Sequence, residues 1–326
     1  MVNVIERPCV VNKYRRGEEF TRDLDITVKQ TALVAAKKRL SISADLFELD
    51  EIDVLYDEDE ATLWSFMRPA GRPSFTPALL SDFRRWQSAI TTSFGPDKAD
   101  LRFLVLGSRV PGVFCYGGDL ELFVSLIRTG NRKALLDYGW ACVRILHRNI
   151  NALDLPIVTI GLAEGDALGG GLEALLSFDV IIAERGASFG LPEAMFGLFP
   201  GMGAHSLLLR RIGRARAEEM ILSGNTYSAE KLHEWGLVSV LAEAGQGKDA
   251  ARDYIRKNSR RFAGHSGAFR AMRSVNPVGL DELEKIVEFW ADSALRLREQ
   301  DLKMMLRLAG AQSRRNDAER LAGQAA

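Results

Sequence analysis

Short apolar runs recur along this chain at a spacing that a layered α/β architecture accommodates. RFLVLGS (102–108), LPIVTIGLA (155–163), DVIIAE (179–184) and LVSVLAE (237–243) each suit one strand and are too short for a buried helix. Their apolarity is nearly continuous, which marks strands covered on both faces, as in a parallel sheet. TLWSFM (62–67) reads as a further strand. Segments of helical period lie between the runs: Phe75 to Phe94 after Pro73, 119–152 in two pieces broken near Thr129-Gly130-Asn131, and a helix starting near Gly170. Strands alternating with helices predict an α/β protein with crossover connections. The alternation defines a core over 61–248, followed by a helical region over 249–312 and a polar tail, 313–326, that is expected to fray. Residues 1–60 are highly charged, weakly patterned and end near the acidic run LYDEDEA. They read as an extension with at most a few short elements, or as a docking arm for a partner.

Charge and rare residues narrow the function. The 43 Lys and Arg balance 43 Asp and Glu, so no global field gathers nucleic acid or an anionic membrane. The four histidines and three cysteines are scattered without the C-x-x-C or H-x-x-x-H spacing of a zinc site, so no metal is expected. An odd, sparse cysteine count fits a reducing compartment. The first residues lack the apolar stretch of a signal peptide, and no segment approaches the ~18 apolar residues of a membrane span. A soluble cytoplasmic enzyme or binding protein is the expectation.

Two glycine-rich turns admit several readings. Gly169-Gly170-Gly171-Leu172-Glu173-Ala174 satisfies the dinucleotide pattern G-x-G-x-x-A, but five residues separate it from the apolar run ending at Ala163. Gly186-Ala187-Ser188-Phe189-Gly190 fits the nucleophile elbow G-x-S-x-G. That elbow needs a helix beginning at the serine, whereas Leu191-Pro192 follows at once and disfavours one. On a third reading, the helix beginning near Gly170 offers unpaired N–H groups and a partial positive charge that stabilise an oxyanion. Glu173 then either faces what binds there or merely complements the helix dipole.

Longer segments carry a family resemblance. GVFCYGGDLELF (112–123) looks like the first oxyanion segment of the crotonase (enoyl-CoA hydratase) superfamily. IVTIGLAEGDALGGGLEALLSFDVIIAERGASFGLPEAMFGLFPGMG, from Ile157 to Gly203, resembles its core, and RARAEEMILSGNTYSAEKLHEWGLVSVL (214–241) its following segment. The resemblance spans roughly residues 60–250, in order. It implies a spiral of ββα units with C-terminal helices, assembled as a homotrimer or a dimer of trimers. It further implies an oxyanion hole from the N–H groups of Tyr116 and Gly170, and a catalytic pair Glu173 and Glu193. Asp119 is expected to cap the next helix. Leu168, Met202 and Trp290 are the expected walls of an apolar tunnel for the substrate tail, and each is equally readable as core.

Two carboxylates facing one cavity suit the removal of water from a 3-hydroxyacyl thioester. One takes the α-proton, the other protonates the departing hydroxyl, and the N–H pair holds the enolate charge. Like charges raise one pKa, so a neutral acid survives near pH 7. The same groups fit thioester hydrolysis, and neither step needs a cofactor. The charged extension, Ser74-Phe75, and GMGAHSLLLRRIG (201–213) resemble the bacterial diffusible-signal-factor synthases. That branch dehydrates a 3-hydroxyacyl chain on acyl carrier protein to a cis-2-enoyl chain and releases the free acid as a quorum-sensing signal. A sensor kinase restrains such synthases. Arg210, Arg211, Arg214 and Arg216 are the densest candidate landing patch for the acidic carrier. The alternatives are an enoyl-CoA hydratase or isomerase acting on acyl-CoA, a non-enzymatic binding scaffold, and a serine hydrolase using Ser188.

Overall fold

The computed structural model describes residues 42–325, the side chains of 315–325 excepted. The first 41 residues of the charged extension lie outside the described residues.

Among the described residues, ten strands form two sheets. The larger has six strands in the order β1 (Ile52–Asp57), β2 (Thr62–Met67), β3 (Phe103–Ser108), β5 (Val158–Ala163), β7 (Val180–Glu184) and β10 (Val240–Ala242). β1 is antiparallel to β2, and every other pairing is parallel. All six residues of β2 and of β5 are buried, which explains their nearly continuous apolar runs. The smaller sheet orders β4 (Val113–Cys115), β6 (Asp166–Leu168), β8 (Ser188–Gly190) and β9 (Thr226–Ser228), the last antiparallel. Chain order alternates between the sheets, β3 to β4, β5 to β6, β7 to β8, before each helical stretch. That alternation is the spiral of ββα units the resemblance implies.

The helices follow their capping signals. α1 (Pro77–Ser93) begins where Thr76 accepts the Leu79 N–H and Pro77 occupies the first turn. α2 (Leu120–Arg128) is capped by Asp119, as expected, and α3 (Arg132–Ile150) by Asn131. Gly130, at φ +63°, makes the break between α2 and α3. α4 (Gly170–Leu175), α5 (Ala204–Ser223) and α6 (Ala229–Glu234) complete the spiral. The C-terminal helices are α7 (Gly247–Ser259), α8 (Phe262–Val275), α9 (Leu280–Ala294) and α10 (Glu299–Ala325).

Two boundaries differ from the sequence reading. β1 lies inside the stretch given to the extension, because a half-exposed edge strand carrying Asp53 and Asp57 has no apolar run to announce it. The polar tail continues α10 as helix to Ala325.

Candidate active site

The first wall of the site is the loop after β4. Gly117 has φ +85°, and a Cβ there would lie 2.6 Å from the Gly170 nitrogen and 2.8 Å from the Leu168 carbonyl. Only glycine lets this loop come so close to the start of α4. The loop is pinned from behind: Tyr116 N–H donates to the Pro73 carbonyl and Phe75 N–H to the Gly117 carbonyl, both at 2.7 Å. The Tyr138 hydroxyl donates to the Phe75 carbonyl at 2.5 Å and accepts from the Asp119 N–H at 3.3 Å.

This pinning corrects the expected oxyanion hole. The Tyr116 amide is turned to Pro73 and cannot donate into the cavity, although Tyr116 remains part of its wall. Gly118, two residues on, also lines the cavity. Neither the Gly118 nor the Gly170 N–H donates to another described group, both residues line the cavity, and a Cβ on Gly170 would lie 3.5 Å from the Gly118 nitrogen. Two unspent donors side by side at a helix start form an anion-holding site.

Glu173 sits on α4 and is 1 % exposed. Its Oε1 accepts from the N–H groups of Met202 at 2.8 Å and Ala204 at 2.9 Å, at the start of the 20-residue helix α5. Those donors favour the carboxylate, yet burial prevails and raises its pKa from 4.5 to about 7. Glu193 lies on the 3₁₀ turn Pro192–Phe196 after β8. Its Oε2 is buried without a partner, and its Oε1 fills the space beside Gly169, 2.7 Å from where a Cβ would be. Burial, then the Glu173 charge, raises its pKa from 4.5 to about 8. Both glutamates line the same cavity as Gly118 and Gly170. Such a pair titrates as a unit, both carboxyls held above the ordinary carboxylate range by burial.

Of the expected tunnel walls, Met202 and Trp290 line the cavity and Leu168 does not. Leu168 ends β6, and its carbonyl abuts Gly117. The indole of Trp290 packs on Phe123 at 5.0 Å between centroids and against Gly201. The last helix also reaches the site: Leu308 and Gln312 line it, and Gln312 accepts from Arg72. No sequence motif marked Leu308 or Gln312, because their role depends on where α10 docks.

The rival motifs resolve structurally. Ser188 starts a strand, not a helix, so no nucleophile elbow forms there. A strand, β6, does directly precede Gly169, contrary to the sequence reading. The carboxyl of Glu193 nevertheless fills the space beside that glycine, where a pyrophosphate would have to approach. The arginine cluster is partly spent internally: Arg210 pairs with Glu282 at 2.8 Å, Arg211 donates to the Phe178 carbonyl, and Arg214 pairs with Glu218 at 2.6 Å. Among the described residues, no group of three or more His, Cys, Asp or Glu could hold a metal ion, and no helix is long and apolar enough to cross a membrane.

A family profile described as enoyl-CoA hydratase/isomerase matches residues 74–276. The chain is 31 % identical over 216 residues to the mitochondrial methylglutaconyl-CoA hydratase of Rattus norvegicus, covering 65 % of each chain. It is 37 % identical over 150 residues to the probable mitochondrial enoyl-CoA hydratase 2 of Arabidopsis thaliana, covering 46 % of this chain and 48 % of that one. These matches thus span from about half to about two-thirds of the relatives' own length. Among solved structures, an enoyl-CoA hydratase from Bacillus halodurans superposes with a TM-score of 0.65 at 20 % identity, covering 79 % of this chain and all 100 % of the other. Pseudomonas aeruginosa DspI superposes at 0.56 with 24 % identity, covering 74 % and 89 %. Both likenesses describe the fold.

Proposed function

The chain belongs to the enoyl-CoA hydratase/isomerase family, and on that premise we propose that it dehydrates 3-hydroxyacyl chains on acyl carrier protein and then hydrolyses the thioester. The product is a free cis-2-unsaturated medium-chain fatty acid that serves as a quorum-sensing signal. One observation carries the reading: two glutamates with raised pKa values, Glu173 buried and Glu193 half-buried, share a cavity with two unspent backbone donors.

In dehydration, the thioester oxygen accepts from the Gly118 and Gly170 N–H groups, which stabilise the enolate as the α-proton leaves. One carboxylate takes that proton, and the protonated partner delivers its own to the departing hydroxyl, which leaves as water. The singly protonated pair is the state that holds a base and an acid together. In hydrolysis, the ionised carboxylate takes a proton from water, whose oxygen attacks the carbonyl carbon. The same two N–H groups hold the tetrahedral oxyanion, and the carrier's thiol leaves with a proton from the other carboxyl. Neither step changes a redox state. Met202 and Trp290 form the apolar flank along which the chain lies, and a sensor kinase is the proposed regulator.

The second reading is an enoyl-CoA hydratase acting on acyl-CoA, with the same groups run in the hydration direction. The enoyl-CoA hydratase/isomerase profile and the similarity to a methylglutaconyl-CoA hydratase support it. Product analysis separates the two. Incubation with 3-hydroxydodecanoyl carrier protein is expected to give free cis-2-dodecenoic acid by mass spectrometry and NMR. An enoyl chain retained on its thioester, or turnover of the CoA ester alone, overturns the first reading for the second.

A further inference from the structure

A second cavity adjoins the first, and the two share one lining residue, Met202. The Met202 Sδ stands 2.7 Å from the position of a Cβ on Gly170, so a flexible thioether separates the oxyanion donors from the inner chamber. Phe75, Phe83, Trp86, Leu146 and Phe178 make most of the chamber wall apolar. Against that background stand two acceptors without partners, Gln87 Oε1 and Asn149 Oδ1. Both side chains are deeply buried, Gln87 at 1 % and Asn149 at 5 % exposure.

Their amide nitrogens are already committed. Gln87 Nε2 donates to the Ile145 carbonyl at 2.8 Å, and Asn149 Nδ2 donates to Ser177 Oγ at 2.7 Å. These bonds fix the amide orientations and leave only the oxygens facing need of a donor. The third polar group, Ser177 Oγ, donates to the Ala174 carbonyl at 2.6 Å and is satisfied. Buried acceptors without a donor are costly, and a hydrocarbon chain supplies none. A hydroxyl supplies one in a volume an acyl tail can carry.

We propose, resting on the acyl-thioester reading above, that the substrate chain passes Met202 into this chamber, where Gln87 and Asn149 select acyl chains bearing a distal hydroxyl over plain ones. The test uses the intact enzyme and compares the 3-hydroxydodecanoyl thioester with counterparts also hydroxylated at the ω and ω−1 carbons. One hydroxylated chain is expected to exceed the plain one about tenfold in kcat/KM, chiefly through KM, as one well-placed hydrogen bond allows. Because a hydroxyl donates a single hydrogen, whichever of Asn149→Leu and Gln87→Leu removes its acceptor is expected to bring that ratio to one or below, a change that simple loss of fold does not mimic because both chains are read in the same variant. A ratio of one or below in the unsubstituted enzyme, or a preference untouched by both substitutions, overturns the proposal. Calorimetric binding of the ω-hydroxy, (ω−1)-hydroxy and plain dodecanoic acids reads the same preference without turnover. Preferential binding of a hydroxy acid by a protein that dehydrates nothing would refute the proposed function and leave the chamber's role standing.

Discussion

Glu193 is a half-buried carboxyl held well above its ordinary titration range. A carboxyl with one oxygen buried and unpartnered, beside a second carboxyl, holds its proton to about pH 8, and Glu173 holds its own to about 7. Dehydration needs the singly protonated pair, so its rate is expected to follow a bell in pH with its maximum between about 7 and about 8. A stability consequence follows from the same shift. A carboxyl whose folded pKa is raised binds its proton more tightly folded than unfolded, so its contribution is present below the unfolded value of 4.5 and lost as pH rises through about 8. Glu193→Gln removes that loss. Denaturant unfolding is therefore expected to show it more stable than the parent by roughly 2–4 kcal/mol at alkaline pH, the gap closing toward pH 4–5. The pair was legible in the sequence because GGGLEA and GLPEAMFG carry it in a long ordered match. The spent amide was not: Tyr116, Gly117 and Gly118 are adjacent, and only the bond from Tyr116 to Pro73 tells that the first of them is committed.

At the scale of elements, the site is a wedge of α4 against the β4 loop. A Cβ on Gly171 would lie 2.1 Å from the Cys115 carbonyl oxygen, which is backbone and cannot yield. A Cβ on Gly170 would meet the Met202 Sδ at 2.7 Å, the movable end of a side chain. Gly171→Ala is accordingly expected to lower stability by about 3 kcal/mol or more in thermal or denaturant unfolding. Gly170→Ala is expected to fold with less than half that loss while kcat/KM falls at least tenfold, because its methyl crowds the space beside the Gly118 N–H. The long elements were readable to within a few residues: β2 at 62–67 matches its apolar run, and α2 and α3 part at the Gly130 break. The strands of the second sheet, β4, β6, β8 and β9, were not. Each has three residues, too few for any period to show, and they exist because their neighbours pair with them.

For the whole molecule, the spiral brings α4, the turn after β8 and the loop after β4 to one cavity, and the C-terminal helices roof it through Trp290, Leu308 and Gln312. Fold class was legible because alternating short apolar runs and helical segments leave few topologies, whereas helix docking on the site depends on tertiary contacts no local pattern encodes. α8 leaves Met272 58 % and Val275 83 % exposed, in keeping with the trimer the resemblance implies. Sedimentation equilibrium is expected to return three times the 36.1 kDa chain mass or its double, and a monomer would refute the trimer. The central claim, that Glu173 and Glu193 act as one acid–base pair on a thioester held by Gly118 and Gly170, is tested most directly by single-turnover dehydration of a 3-hydroxydodecanoyl thioester. Glu173→Gln and Glu193→Gln, each checked for native folding, are both expected to lose about 10²–10⁴-fold in rate. Near-normal dehydration by either variant would contradict the claim.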